Sequence, residues 1–173
     1  METTSTIATL RQLLHQQMGK FISGEIQLQK NLPVWINNIG SVQLRQVLQK
    51  YLDQVNEHIK HMEAFFLEAQ VATAGREDKV MQSLVDETNE LLGFCSDTQV
   101  CDACMLAGIQ VINHYKISTY GTAAAFAGDL EMEKAAGVFY QMEINEKNID
   151  DRLTQLAKYE INKKAKTPIQ TAE

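Results

Sequence analysis

The chain has 173 residues, 45% of them hydrophobic and only two of them proline, which suits one domain with a sizeable core. Its formal net charge of -6 disfavours nonspecific nucleic-acid binding, which relies on clustered Lys and Arg. The first residues lack a signal-peptide pattern, and no stretch approaches the roughly 18 uninterrupted apolar residues of a membrane span. We therefore expect a cytoplasmic protein with neither nucleic-acid nor membrane partners.

Apolar residues recur at intervals of three or four, the period of one face of an α-helix, and no strand pattern accompanies them. The pattern predicts five helices, over about residues 4–38, 42–72, 77–92, 98–127 and 130–163. Ser41 and Asp129 each follow a glycine and are the expected N-caps of the second and fifth helices. Pro33 has no backbone N–H to donate, so it is expected to kink or loosen the first helix near its end.

The order of these helices predicts an all-α fold, a four-helix bundle of two antiparallel hairpins. The short helix over residues 77–92 then lies in the crossover connection between the hairpins. We expect residues 1–163 to form a single helical domain. Residues 164–173 contain Pro168 and no periodicity, so we expect a disordered tail there.

Each of the four long helices interrupts its apolar face with polar residues. Those predicted to point inward are Glu25 on the first helix, Gln54 and His58 on the second, Asn113 and Lys116 on the fourth, and Gln141 and Asn145 on the fifth. Residues equidistant from the turn of an antiparallel pair lie at the same height, because both helices rise equally per residue. The midpoint between Glu25 and Gln54 in the sequence falls between Ile39 and Gly40, and the midpoint between Asn113 and Asn145 falls on Asp129. Both midpoints lie at predicted turns. We expect them to meet in one polar layer inside the core.

Three motifs extend over these positions. They are Ser23-Gly24-Glu25-x-Gln27-Leu28 with Leu32-Pro33, His114-Tyr115-x-Ile117-x-x-Tyr120-Gly121-Thr122, and Glu146-Lys147 with Asp150, Leu153-Thr154 and Leu156-Ala157. With these motifs the chain resembles, over nearly its whole length, the bacterial ferritin-like proteins of the YciE/YciF type, a stress-associated family of unknown biochemical role. The resemblance implies a ferritin-like bundle that forms a homodimer. It also implies where two iron or manganese ions would bind, between inward carboxylates and histidines of all four helices.

The chain departs from this family at the implied metal ligands. Glu25 matches the family's first-helix acid, whereas amides and a lysine replace the other expected carboxylates, at Gln54, Asn113, Lys116, Gln141 and Asn145. An amide oxygen offers iron(II) or manganese(II) a dipole without the charge that drives binding. The pattern Glu-x-x-His is also absent from the sequence. We therefore expect no bound metal and no other cofactor; the ligands left for a metal are Glu25, His58, His114 and Glu146.

A buried carboxylate in a low-dielectric core requires a positive partner. We expect the Lys116 ammonium to lie beside Glu25, in the place of a metal. The polar layer would then fix helix register and partner choice without performing chemistry. A binding module is a further hypothesis, with surface candidates at Trp35, Phe65, Phe66 and Phe126, although aromatics at helical spacing are more often core residues.

The sequence offers no sign of another enzyme class. Neither Gly-x-Gly-x-x-Gly nor Gly-x-x-x-x-Gly-Lys occurs, and we name no catalytic residue. Cys95, Cys101 and Cys104 are odd in number and lack a fourth zinc ligand, so we interpret them as thiols packed between helices. A redox role for Cys101-x-x-Cys104 is less favoured, because the pair lacks a strand context.

The favoured function is that of a ferritin-like protein with a degenerate, metal-free centre, in a stress-related structural or binding role. The alternative is a di-iron or di-manganese ferritin-like oxidase or metal-binding protein with unusual ligands.

Overall fold

The computed structural model describes residues 6–69 and 76–166, and this part of the chain is helical without any strand. The helices are α1 (Leu10–Asn38), α2 (Val42–Ala69), α3 (Lys79–Phe94), α4 (Thr98–Asp129), α5 (Glu133–Leu156) and α6 (Asn162–Ala165), with a π-helical turn over Ala157–Ile161 between the last two. α1 packs on α2 and α4 on α5, and α3 crosses between the hairpins to contact α4 and α1. The predicted four-helix bundle with a crossover helix is confirmed. The predicted tail lies mostly outside the described residues, although α6 extends to Ala165.

Capping hydrogen bonds explain where the first helices begin. Thr9 and Gln12 form a reciprocal capping box, so α1 begins about six residues later than predicted. Ser41 Oγ accepts a hydrogen bond from the Leu44 backbone N–H at 3.2 Å, which confirms the predicted N-cap of α2. Pro33 lies inside α1, which continues beyond it to Asn38.

The turn between α4 and α5 lies later than predicted. Asp129 is not the N-cap of the fifth helix: α4 continues through Asp129, and α5 begins at Glu133 after Met132, which makes no side-chain cap. The chain reverses around Glu131, whose φ of 56° is in the left-handed region. This later turn changes which residues of the hairpin lie at the same height.

The core consists of two apolar halves. Leu28, Leu48 and Ile109 belong to one half, and Leu14 and Met62 belong to the other. The aromatic residues considered for a partner surface are instead part of this interior: Trp35, Phe65 and Phe66 are buried, and Phe126 packs half-buried against the core. None of the helices within the described ranges combines the length and the apolar character needed to cross a membrane.

The crossover helix α3 is fastened to the bundle at both ends. Trp35 Nε1 of α1 donates a hydrogen bond to Asn89 Oδ1 at 2.7 Å. At the other end, Tyr115 of α4 donates its hydroxyl to the carboxylate of Asp78, the N-cap of α3, at 2.9 Å. A Cβ at Gly108 would lie 2.6 Å from Thr88 Oγ1, so glycine permits the close approach of α4 to α3.

Asp102 of α4 holds the turn between α1 and α2. Its two carboxylate oxygens accept hydrogen bonds from the backbone N–H groups of Gly40 at 2.8 Å and Ser41 at 2.7 Å. Asp102→Ala is expected to lower the free energy of unfolding by roughly 2 to 3 kcal/mol, because it leaves the buried N–H of Ser41 and the part-buried N–H of Gly40 without an acceptor. Urea denaturation measures the loss. As a control, Asp97→Ala removes only the N-cap of the same helix and should cost about 1 kcal/mol; equal losses would contradict the prediction.

Candidate functional site

Four charged or titratable side chains, one from each long helix, meet between the two apolar halves of the core. Glu25 comes from α1, His58 from α2, Lys116 from α4 and Glu146 from α5. Each is at most 2% exposed. Each also continues the buried stripe of its helix, so the helical period directs it inward. We call these four residues the ion cluster.

Two side-chain nitrogens, Lys116 Nζ and His58 Nδ1, lie between the two carboxylates of the ion cluster. Lys116 Nζ lies 2.9 Å from Glu25 Oε1 and 2.6 Å from Glu146 Oε1. His58 Nδ1 lies 3.1 Å from Glu25 Oε1 and 3.6 Å from Glu146 Oε1. The ammonium is also 4.7 Å from the centre of the Tyr51 ring, a favourable cation–π distance. Lys116 therefore bridges both acids directly.

Neighbouring hydroxyl and amide groups donate further hydrogen bonds to the carboxylates. Glu146 Oε1 accepts none within residues 6–69 and 76–166, and has only its ionic contacts with Lys116 and His58. Tyr120 donates its hydroxyl to Glu25. Tyr51 donates to Glu146 Oε2 at 2.8 Å, and Asn113 Nδ2 donates to the same oxygen at 2.6 Å. Such bonds reduce the cost of keeping charged oxygens away from water.

Burial and neighbouring charges have opposing effects on the pKa values of Glu25 and Lys116. Burial raises the pKa of Glu25, but Lys116 and then His58 and Tyr120 outweigh burial and lower this pKa to about 2. Burial lowers the pKa of Lys116, but Glu146 and Glu25 outweigh it and raise the pKa above its usual value. Burial and the carboxylates raise the pKa values of both tyrosines, Tyr51 and Tyr120, well above the usual range. At neutral pH an ionised carboxylate thus faces an ammonium, and the tyrosines remain hydrogen-bond donors.

The structure places two predicted polar-layer residues, Gln54 and Gln141, away from the direct contacts of the ion cluster, and a third, Asn145, touches it only through His58. Gln54 is half-buried, and its Nε2 has no hydrogen-bond partner within residues 6–69 and 76–166. Gln141 is exposed rather than in the layer, and it donates a hydrogen bond to Asn145 Oδ1 at 3.0 Å. Asn145 is half-buried, with its Nδ2 at 3.3 Å from His58 Nε2. The two α5 amides thus connect His58 to the surface.

Glu146, rather than Asn145, is the inward residue of α5. Phe139 is buried whereas Val138 is only half-buried, and Glu146 continues the buried stripe of Phe139 and Met142. The later turn also favours Glu146 as the site residue. Lys116 and Glu146 are equidistant from Glu131, so they lie at the same height in the hairpin. On α5 the inward position thus belongs to Glu146, which was predicted only as a remaining metal ligand, and not to the amide expected at Asn145, so the layer contains two carboxylates.

Tyr51 and Tyr120 are contacts that the sequence-based prediction did not name as site residues. Tyr120 follows Lys116 by one helical turn, and Tyr51 precedes His58 by two turns, so both share the inward stripe of a predicted site residue. A tyrosine on the inward face of a helix, one or two turns from a buried charge, was therefore the sequence signal for a hydrogen-bond donor at the site.

The residues around the ion cluster do not fit a two-metal centre. A ferritin-like di-metal site uses carboxylates from all four helices together with two Glu-x-x-His pairs. Among the described residues, Glu25, His58 and Glu146 are the only group of three or more such side chains whose ligand atoms all lie within 4.8 Å of one another. His114, the other predicted candidate, has a side chain that is 63% exposed and lies 3.0 Å from Asp150 on the surface. The Lys116 ammonium occupies the space between the two acids and repels a metal cation.

The three cysteines are free, half-buried thiols. Burial and the neighbouring Cys95 thiol raise the pKa of Cys104 to about 11, and the same causes raise the pKa of Cys101. Both therefore remain protonated at neutral pH, which disfavours nucleophilic reactivity.

Comparison with known proteins identifies relatives over most of the chain. Residues 9–166 match a family described as a domain of unknown function, DUF892. Protein YciF of Escherichia coli (strain K12) is 28% identical over 158 residues, which cover 91% of this chain and 95% of the relative. These matches confirm the resemblance to the YciE/YciF-type proteins.

Solved structures agree with this fold. The E. coli stress protein YciF superposes with a TM-score of 0.85 at 26% identity, covering 93% of this chain and all of that one. YcfI from Rhodopseudomonas palustris, for which a structural role has been suggested, gives a TM-score of 0.84 at 26% identity, covering 87% and 96% of the two chains. An Anabaena variabilis protein with DJ-1/ThiJ/PfpI-like and ferritin-like domains gives 0.59 at 15% identity, covering 96% of this chain and 40% of that one. The chain belongs to the DUF892 family and has its YciF-like, ferritin-like helical fold.

Proposed function

We propose that this protein is a metal-independent ferritin-like protein that works as a cytoplasmic homodimer in a stress-related structural or binding role. The observation that carries the proposal is the position of Lys116 Nζ, within 3.0 Å of Glu25 and Glu146. A hard cation binds because it neutralises anionic oxygen, and here an ammonium already does so. The ion cluster then holds the four helices in register without chemistry.

The relatives support the biological part of the proposal. One is described as a stress protein, and a structural role has been suggested for another. The free thiols are typical of a reducing compartment, and the net charge of -6 disfavours a nucleic-acid partner.

A metal-binding protein or oxidase with unusual ligands is the second candidate function. It is favoured by the convergence of Glu25, His58 and Glu146. It requires the Lys116 side chain to leave the space between the acids or lose its proton, and the raised pKa of Lys116 opposes the loss of the proton.

Addition of iron(II) in air is expected to give no oxidation faster than buffer and no rise in melting temperature, because a ligand stabilises only when it binds the folded state. Manganese(II) should behave in the same way, and elemental analysis of protein produced with both metals should find neither. Glu25→Gln with Glu146→Gln is the control for surface binding. Saturable stabilisation at micromolar metal in the wild type, absent from this variant, would support the second candidate and overturn the proposal.

A further inference from the structure

A cavity of about 400 Å³ lies at the end of the bundle where α1, α3 and α4 meet. Trp35 and Met105 line its interior and are each 2% exposed, whereas Val34 and Gly93 line its exposed rim. Pockets that bind small molecules typically have this size, a largely apolar lining and a few polar groups. The cavity is distinct from the ion cluster, because Trp35 lies ten residues, roughly 15 Å, beyond Glu25 along α1.

Asp102 supplies this cavity with a buried negative charge that has no ion-pair partner in the described part of the chain. The residue is 5% exposed and lines the cavity. Its oxygens accept hydrogen bonds from the backbone N–H groups of Gly40 and Ser41, and none of the ion pairs among the described residues includes it. The Arg45 guanidinium donates to the Ile39 carbonyl at 2.6 Å instead. Because a buried carboxylate gains from a cationic partner, Asp102 favours a ligand that carries a positive charge.

The sequence around the cavity has the same preference. Residues 80–115, which include most of α3 and the first half of α4, contain five acidic residues and neither lysine nor arginine. This distribution attracts cations to the cavity and repels anions. The Trp35 indole adds to the attraction, since the face of an aromatic ring favours a cation. Size, apolar lining and charge together indicate a ligand with a cationic head and an apolar body.

We propose that this cavity binds a small organic cation, an ammonium group on an apolar or aromatic body, with Asp102 as its counterion. The ammonium pairs with the Asp102 carboxylate, and the apolar body packs against Trp35 and Met105 between α1 and α4. The inference depends neither on the metal-free ion cluster nor on a homodimer, so its failure would leave both of those proposals in place.

Titration with benzylammonium tests the proposal, because the fluorescence of Trp35, the chain's single tryptophan, reports directly from the cavity. Benzyl alcohol is the matched neutral probe, since it has the same shape without the charge. Benzylammonium is expected to give a saturable change of fluorescence and a rise in melting temperature in the millimolar range. It should bind at least about 10-fold more tightly than benzyl alcohol, because only the cation forms a charge-assisted hydrogen bond with Asp102.

Two substitutions test whether Asp102 holds the cation. Asp102→Asn is expected to remove the preference for benzylammonium, because the amide keeps the shape of the side chain without its charge. Val34→Lys places a tethered ammonium at the rim and should weaken benzylammonium binding at least about 10-fold by competing for Asp102. Val111→Lys is the matched control: Val111 is 55% exposed, like Val34 at 58%, but it lies nine residues beyond Asp102 on α4 and does not line the cavity.

Circular dichroism verifies that each variant is folded, and if Asp102→Asn does not fold, Val34→Lys against Val111→Lys decides alone. Equal affinities of the wild type for the two probes would mean that the cavity selects only apolar ligands and would overturn the inference. It is also overturned by the absence of saturable binding in the millimolar range. A preference for the cation that survives in Val34→Lys and in folded Asp102→Asn would place the bound cation elsewhere and reject Asp102 as its counterion.

Discussion

Replacement of Lys116 by methionine is expected to lower the free energy of unfolding by roughly 3 to 5 kcal/mol. Methionine fills similar apolar volume but removes the ammonium that lies 2.9 Å from Glu25 and 2.6 Å from Glu146. Two carboxylates then share a core site with His58 and without the ammonium. They either remain ionised at high cost or take up a proton on folding. Chemical denaturation at neutral pH measures the loss. Lys147→Met, which breaks a half-exposed ion pair with Glu143, is the control and should change stability by about 0.5 kcal/mol or less.

A double-mutant cycle shows whether the loss comes from the ion cluster. Glu25→Gln added to Lys116→Met should recover much of the lost stability, because one of the two carboxylates without a cation is gone. Glu146 still accepts hydrogen bonds from Tyr51 and Asn113 in this variant. Glu25→Gln alone should cost less than Lys116→Met, since Lys116 retains Glu146 as its partner. Strictly additive losses would mean that Glu25 and Lys116 do not interact and would contradict the proposed role of the ammonium.

Acidification is expected to change the stability of the wild type and of Lys116→Met in opposite directions. The pKa of Glu25 in the folded protein is about 2, below its ordinary value of 4.5, so its stabilising contribution is present above pH 4.5 and is lost as the pH falls from 4.5 toward 2. This loss amounts to about 3 kcal/mol. Without Lys116, the raising effect of burial on the pKa of Glu25 loses its main opponent, and we expect this pKa to rise above that of the unfolded chain. The folded variant then takes up a proton, and its stability rises as the pH falls from about 7 to about 5.

The urea concentration at the midpoint of unfolding, measured across this pH range for the wild type and Lys116→Met, tests whether the stabilities of the two proteins change in opposite directions with pH. The control is the Glu25→Gln, Glu146→Gln, Lys116→Met triple variant, which has no carboxylate in the ion cluster and should show neither the acid loss of the wild type nor the gain of Lys116→Met. Parallel pH profiles for the wild type and Lys116→Met would show that Lys116 does not control the ionisation of the buried acids.

Helical periodicity was sufficient to predict the bundle, because the apolar stripes of α1, α2 and α4 extend over several turns. The errors lie at helix ends, where single hydrogen bonds decide the boundary. The α4–α5 turn is the clearest case: Gly128 and Asp129 are good turn residues, but the helix continues past them, and Glu131 adopts the left-handed conformation instead. Local propensity could not reveal this, since the packing of α5 selects where the chain reverses.

The candidate site was predicted only in part, because the inward face of α5 follows from the same misplaced turn. Glu25, His58, Asn113 and Lys116 lie on helices whose stripes were assigned correctly, and the structure brings them together. The choice between Asn145 and Glu146 depended on a rotation of α5 by one residue, and both positions fit an apolar stripe. Sequence spacing predicts which side of a helix faces the core to within about one residue, and here one residue separates an amide from a carboxylate.

Trp35 is the chain's single tryptophan, and its indole N–H is bonded to Asn89 of the crossover helix. Its fluorescence therefore reports whether α3 is docked, whereas far-ultraviolet circular dichroism reports all helices together. Emission that shifts to the red at lower urea than the loss of ellipticity would mean that α3 detaches first, as a separate unit. Coincident curves would mean that the crossover helix and the bundle unfold in one cooperative step, so that the two hairpins cannot come apart while α3 remains bound.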